Sequence, residues 1–153
     1  MTNEAKAVPS VVVYTDGACE GNPGPGGWAY KMTYGEHVKT DSGGEAHTTN
    51  NRMELMAALQ ALRGLKRDCL VTIYTDSTYL KKGVTEWLAG WKARGWKRKE
   101  GELANVDLWQ GLDRELQKHQ VTWKWVRGHA GHPENTQVDL LARQAARQAG
   151  VAR

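Results

Sequence analysis

The chain has 153 residues, a net charge of +4 at pH 7, and 40% hydrophobic against 25% charged residues, a balance that suits one soluble globular domain with a sizeable core. No stretch approaches the roughly 20 apolar residues of a membrane span, and the polar start from Met1 to Pro9 has no secretory apolar core, so a cytoplasmic protein is expected. Cys19 and Cys69 have no zinc or CxxC spacing and read as reduced thiols.

Val11-Val12-Val13-Tyr14-Thr15-Asp16 predicts a buried strand that ends on a carboxylate. Positions 17–27, rich in Gly and Pro, read as a loop with free backbone N–H groups. Trp28 to Tyr34 alternates and predicts a second strand, closed by a Gly35-Glu36 hairpin turn. His37 to Thr48 is a poorer third strand, interrupted by Gly43-Gly44. The period then changes: Met53, Met56, Ala57, Leu59, Leu62 and Leu65 mark an amphipathic helix. Asp68 to Asp76 is a fourth strand, and it ends on the same Tyr-Thr-Asp as the first. Leu80, Gly83, Val84, Trp87, Leu88 and Trp91 predict a second helix, followed by an irregular basic stretch from Lys92 to Glu102. Val106, Trp109, Leu112 and Leu116 predict a third helix, Val121 to Val126 a fifth strand, and Pro133 to Gly150 a last helix. The order predicts an α/β fold with a five-stranded mixed sheet covered by helices. Its first three strands form an antiparallel meander, and the two later strands run parallel to the first. A single domain over 1–153 is expected, with 1–9 and 148–153 as flexible tails.

The doubled Tyr-Thr-Asp has chemical consequences. Neighbouring strands lie roughly 5 Å apart, so pairing of the two would set Asp16 beside Asp76. Close carboxylates repel unless one is protonated or a cation lies between them. Either Asp could also be a simple turn former. Glu54 could join such a site, or could form a capping box with Asn51. Asp139 could point at the sheet, or pair on the surface with Arg143 four residues on. His129, in a Gly-rich loop, could move protons or could simply be exposed. From Lys81 to Lys99 the basic residues are Lys81, Lys82, Lys92, Arg94, Lys97, Arg98 and Lys99, against one acid, Glu86. A basic segment near an acidic centre suits a polyanionic substrate, although a solvated helix face is the plainer explanation.

Four blocks carry a resemblance. They are Tyr-Thr-Asp-Gly-Ala-Cys-x-Gly-Asn-Pro-Gly-Pro-Gly-Gly-Trp (14–28), Thr-Asn-Asn-Arg-Met-Glu-Leu (49–55), Tyr-Thr-Asp-Ser (74–77) and Gly-His-Ala-Gly-His-Pro-Glu-Asn (128–135). Asp139 follows at the expected interval, and Asn-Val-Asp-Leu-Trp (105–109) also matches. The chain closely resembles type 1 ribonuclease H in its bacterial, single-domain form, from about Val11 to Ala146. The resemblance implies a five-stranded mixed sheet with helices on both faces. It implies endonucleolytic cleavage of the RNA strand in an RNA/DNA hybrid, leaving 5′-phosphate and 3′-hydroxyl ends. It implies two Mg²⁺ ions, or Mn²⁺ in their place, held by Asp16, Glu54, Asp76 and Asp139. Asp16 would bridge the ions, Asp139 would serve the ion that activates water, and Glu54 and Asp76 the ion at the leaving oxygen. His129 would assist proton transfer or product release.

The resemblance also implies substrate contacts. The loop from Cys19 to Asn22, with Asn50 and Asn51, would read RNA 2′-hydroxyls in the minor groove. Thr49 and Arg52, with Asn22, would grip a DNA phosphate. Trp87, Trp91, Trp96, Lys97, Arg98 and Lys99 lie in what resembles the family's basic substrate-binding protrusion, although helical spacing also allows Trp87 and Trp91 to be core residues. Thr78 stands where relatives commonly carry Gln, which puts one hybrid contact in doubt. A separate N-terminal hybrid-binding domain is not expected, and a monomer is. Two alternatives stay open: a non-cleaving hybrid-binding module, and another nuclease or strand-transferase on the same fold.

Overall fold

The computed structural model describes residues 8–97, 103–126 and 133–151. Five strands form one sheet: β1 (Ser10–Cys19), β2 (Gly24–Tyr34), β3 (His37–Thr48), β4 (Leu70–Thr75) and β5 (Gln120–Trp125). Their spatial order is β3-β2-β1-β4-β5. β2 runs antiparallel to β1 and to β3, whereas β4 runs parallel to β1 and β5 parallel to β4. The expected mixed sheet is borne out. The helices are α1 (Asn50–Arg63), α2 (Thr78–Lys82), α3 (Leu88–Ala93), α4 (Val106–Lys118) and α5 (Pro133–Val151).

Alternation along the strands decides which helix meets which face. Val11, Val13, Val71 and Ile73 share one core with Leu55, Leu59 and Leu62 of α1 and with Trp109 and Leu112 of α4. Each such fully buried aliphatic side chain contributes about 1.5–3 kcal/mol. The opposite face is shallower. There Ala29 packs with Val138 and Ala142 of α5, flanked by Tyr14, Ala18 and Leu141. α5 lies over β1, β2 and β3.

The structure corrects two glycine-rich stretches. Gly17 to Cys19 and Gly24 to Gly27 are paired strand, so the loop shrinks to 20–23. β3 runs unbroken through Gly43 and Gly44, which pair with Trp28 and Gly27. These glycines mark close approach, not interruption. A Cβ on Gly43 would lie 2.6 Å from the Trp28 ring, and one on Gly44 2.9 Å from the Ala145 carbonyl oxygen. The second predicted helix is also not uniform. A π-helical turn, Gly83–Trp87, joins α2 to α3. Gly83 lies against the Trp109 ring, where a Cβ would overlap it.

Candidate active site

The two Tyr-Thr-Asp copies do lie side by side. Tyr14 is the register partner of Tyr74, and their rings stack 4.8 Å apart. Thr15 Oγ1 donates to the Tyr74 carbonyl at 3.4 Å. Thr75 Oγ1 accepts from the Ser77 N–H at 3.0 Å, and Ser77 Oγ caps α2 by accepting from the Leu80 N–H at 3.0 Å. Turn and capping duties therefore fall to Thr75 and Ser77.

Glu54 does not cap its helix either. Thr49 is the N-cap of α1 and accepts from the Arg52 N–H at 3.2 Å. Asn51 lies inside the helix, so the capping-box alternative falls, and Glu54 is left to turn inward. It is only 6% exposed, and Asp16 4%. One carboxylate oxygen each from Asp16, Glu54 and Asp76 lies within 4.8 Å of the other two. Oδ1 of Asp16 accepts from the Gly17 N–H at 2.9 Å. Oδ2 of Asp16 and Oε1 of Glu54 are buried and accept no hydrogen bond from the described residues.

This crowding acts on protonation. Burial, then the charge of Asp76, then the hydrogen bonding and charge of Asp139, push the Asp16 carboxyl up to about 8, against the lowering effect of the Gly17 N–H. Burial, then Asp16 and Asp76, hold Glu54 well above the usual carboxylate range. Asp139 adjoins Asp16, but its Oδ2 also lies 2.7 Å from Nη2 of Arg143. The expected pair with Arg143 is present, and Asp139 also lies near enough to Asp16 to act on its protonation. Orphaned buried oxygens, with no nitrogen or sulfur converging on them among the described residues, suit a hard divalent cation.

The sequence pattern of the RNase H family matches residues 8–147, nearly the whole fold. The chain belongs to the ribonuclease H family. It is 58% identical over 139 residues to the ribonuclease H of Marinobacter nauticus, covering 90% of this chain and 95% of that protein. It is 56% identical over 142 residues to the ribonuclease HI of Caulobacter vibrioides, covering 92% and 95%. Among solved structures it is similar to LC9-RNase H1, described as a type 1 RNase H with the type 2 active-site motif. That match has a TM-score of 0.84 and 37% identity, over 94% of this chain and 74% of the other. LC11-RNase H1 in complex with RNA/DNA hybrid shares the fold, with a TM-score of 0.69 and 21% identity, over 91% of this chain and 98% of that one. The expected type 1 ribonuclease H resemblance holds.

Of the residues expected on the substrate side, Cys19, Asn22, Thr49, Asn50 and Arg52 form one rim where the ends of β1 and β3 meet the start of α1. The Cys19 thiol bonds to the Gly24 and Thr48 carbonyls at 3.5 and 3.4 Å, tying the ends of β1 and β3 to the start of β2. Asn22 Oδ1 accepts from the Asn50 N–H at 3.0 Å, which clasps the 20–23 loop to the start of α1. Asn51 is exposed there. Trp91 is a core residue, 9% exposed, with its ring 5.2 Å from Trp109. Trp87 is half-buried and lines an open pocket of about 410 Å³ with Tyr79, Trp91, Leu103 and Ala104. Trp96 is half-buried at φ 68, closing the turn after α3 through its N–H to the Trp91 carbonyl at 2.6 Å. Lys97 and Thr78 are exposed. Arg98, Lys99 and His129 lie outside the described residues.

Other partnerships have no signal in the sequence. The Arg52 guanidinium bonds to Glu45 at 3.0 Å, to Asp107 at 3.0 and 3.2 Å, and to Asn105 at 3.3 Å. It therefore braces β3, α1 and α4 together. Asn105 in turn donates to the Tyr79 hydroxyl at 3.1 Å, as does Trp109 at 3.0 Å. Asn135, one helical turn before Asp139, is 1% exposed, and its Oδ1 has no partner among the described residues. Asn135 is marked in the sequence solely by its place at the end of the 128–135 block.

Proposed function

We propose that this chain is a divalent-cation-dependent endonuclease that hydrolyses the RNA strand of RNA/DNA hybrids, leaving 5′-phosphate and 3′-hydroxyl ends. The carrying observation is the buried cluster of Asp16, Glu54 and Asp76 in a member of the ribonuclease H family. Two Mg²⁺ ions, or Mn²⁺, supply positive charge at both ends of the phosphodiester displacement. Asp16, Glu54, Asp76 and Asp139 hold them. Asp16 is crowded by Asp76 and Asp139, and Glu54 by Asp16 and Asp76. Asp16 thus interacts with Glu54, Asp76 and Asp139 alike, which supports its role as the shared ligand. His129 accepts or delivers a proton, or helps product leave, since imidazole changes charge near neutral pH.

The rim supplies recognition. Cys19, Asn22, Asn50 and Asn51 meet the minor groove and its 2′-hydroxyls. Thr49 and Arg52 face a DNA-strand phosphate, with Arg52 held in place by Glu45 and Asp107. Trp87 and Trp96 flank the basic segment, and Trp91 supports them from the core. Both cysteines are free, which suits a reducing compartment, and the proposed working form is a cytoplasmic monomer. No helix among the described residues is long and apolar enough to cross a membrane.

The decisive experiment compares one labelled RNA/DNA hybrid with the matching RNA/RNA and DNA/DNA duplexes, with and without Mg²⁺. Only the hybrid is expected to be cut, only in its RNA strand, and EDTA is expected to abolish cleavage until Mg²⁺ is restored. Cleavage of duplex DNA but not hybrid, or full activity in EDTA, would sink the reading. Neutralising Lys97, Arg98 and Lys99 together is expected to raise KM and to flatten its salt dependence, by about 0.7–0.9 in log–log slope for each lost phosphate contact. An unchanged slope would place the binding surface elsewhere.

A further inference from the structure

Asp139 differs from the other carboxylates in already having a cationic partner on its own helix. Its Oδ2 lies 2.7 Å from Arg143 Nη2, one turn on, with the two side chains 22% and 57% exposed. Asp16, Glu54 and Asp76 instead turn their oxygens towards one another. Asp139 nonetheless lies close enough to Asp16 to raise its pKa. A carboxylate so placed has two competing positive partners, a fixed guanidinium and an incoming cation.

We propose that Arg143 is a positioning residue that competes with the divalent cation for Asp139. In the metal-free protein it orients Asp139 and neutralises its charge beside Asp16. Cation binding on the Asp139 side exchanges this ion pair for a metal ligand. The inference rests on the reading that Asp139 belongs to the cation site. An i,i+4 pair between partly exposed groups is worth a factor of about 2–5 in an equilibrium constant, and cation affinity on that side is lowered by the same factor. The exchange keeps the Asp139 side weakly occupied before substrate arrives, while the orphaned oxygens of Asp16 and Glu54 have no competing cation of this kind among the described residues.

Mn²⁺ titration of the full chain without nucleic acid, followed as free against bound ion, tests this. Arg143→Gln is expected to tighten the weaker binding step about 2–5-fold, and Arg143→Lys, which keeps the charge but loses the planar fork, to tighten it less. Arg147→Gln removes an exposed charge one turn further along α5 and is expected to do little. In an Asp139→Asn background, Arg143→Gln is expected to change nothing. Equal tightening by Arg147→Gln would make the effect general electrostatics and overturn the proposal. So would an Arg143→Gln effect that survives in Asp139→Asn, or no effect of Arg143→Gln at all. If Asp139→Asn alone binds Mn²⁺ like the unaltered chain, Asp139 is not a ligand, and that part of the site reading falls with the proposal. If binding is unchanged by Asp139→Asn and also by Asp16→Asn, the cation site itself is wrong.

Discussion

Asp16→Asn is expected to abolish hybrid cleavage and to raise the melting temperature of the metal-free protein. The loss of activity follows from removing the carboxylate that interacts with Glu54, Asp76 and Asp139, and is expected to reach about 10³-fold, the scale of losing a preorganised charge-stabilising group. The gain in stability follows from burial. The Asp16 carboxyl has a folded-state pKa of about 8, against about 3.9 in an unfolded chain. The folded state therefore holds more protons between those values, and metal-free stability falls as pH rises from about 4 to about 8. At pH 7 roughly three pH units of this penalty are active, a ceiling of about 4 kcal/mol at about 1.4 kcal/mol per unit. Relaxation and water access reduce it, so asparagine is expected to gain about 1–3 kcal/mol, or about 3–10 °C. Thermal unfolding in EDTA at pH 5 and pH 8 checks this: the advantage of Asp16→Asn must grow with pH. Saturating Mg²⁺ must shrink it, because the unaltered chain then gains stability from binding. A variant that melts lower than the unaltered chain in EDTA at pH 8 would show that the carboxylates are not in conflict.

The crowded carboxylates were readable from sequence because Tyr14-Thr15-Asp16 and Tyr74-Thr75-Asp76 repeat a residue string at matching strand positions. Period-2 alternation and parallel pairing are enough to bring the two aspartates together. Glu54 was ambiguous because Asn51 and Glu54 have capping-box spacing; which residue caps depends on where the chain enters the helix, and that entry is set by Thr49 and the clasp of Asn22 on Asn50. Gly43 and Gly44 misled, because a glycine that breaks a strand and one that admits a Trp28 ring or a helix backbone look alike in one dimension. Trp91 had a helical spacing shared by core and protrusion, and only the ring of Trp109 beside it decided the matter. The brace around Arg52 joins residues up to 55 positions apart, and no local pattern encodes it.

Gly17→Ala is expected to cost about 3 kcal/mol and to damage catalysis as well. Gly17 continues β1 directly after Asp16, and its missing side chain faces α1. A Cβ there would lie 2.5 Å from the Glu54 backbone nitrogen and 2.6 Å from the Met53 carbonyl carbon. These are helix backbone atoms, which no rotamer change can move aside. α1 would have to lift from the sheet, and Met53, Leu55, Ala58 and Leu59, all fully buried, would lift with it. Overpacking of this kind costs about 1–3 kcal/mol and sometimes more; at the about 3 kcal/mol expected here the melting temperature falls by about 6–12 °C. Glu54 rides on the displaced segment, and a shift near 1 Å at a positioned group can cost about 10²-fold in rate. Gly27 does the same for the opposite face, where a Cβ would meet the Ala142 carbonyl oxygen and lie 2.5 Å from the Ala146 nitrogen, so Gly27→Ala would move α5 and Asp139. Gly35, at φ 58 in the hairpin with nothing within 4 Å of where a Cβ would stand, is the control, since alanine there should cost only about 1 kcal/mol of backbone strain. Urea unfolding and cleavage rates at a temperature where every variant is folded separate the cases. Gly35→Ala must cleave normally while Gly17→Ala does not. A folded Gly17→Ala protein with full activity would mean that the close seating of α1 on β1 does not place Glu54, and that the site tolerates far looser geometry than its buried carboxylates imply.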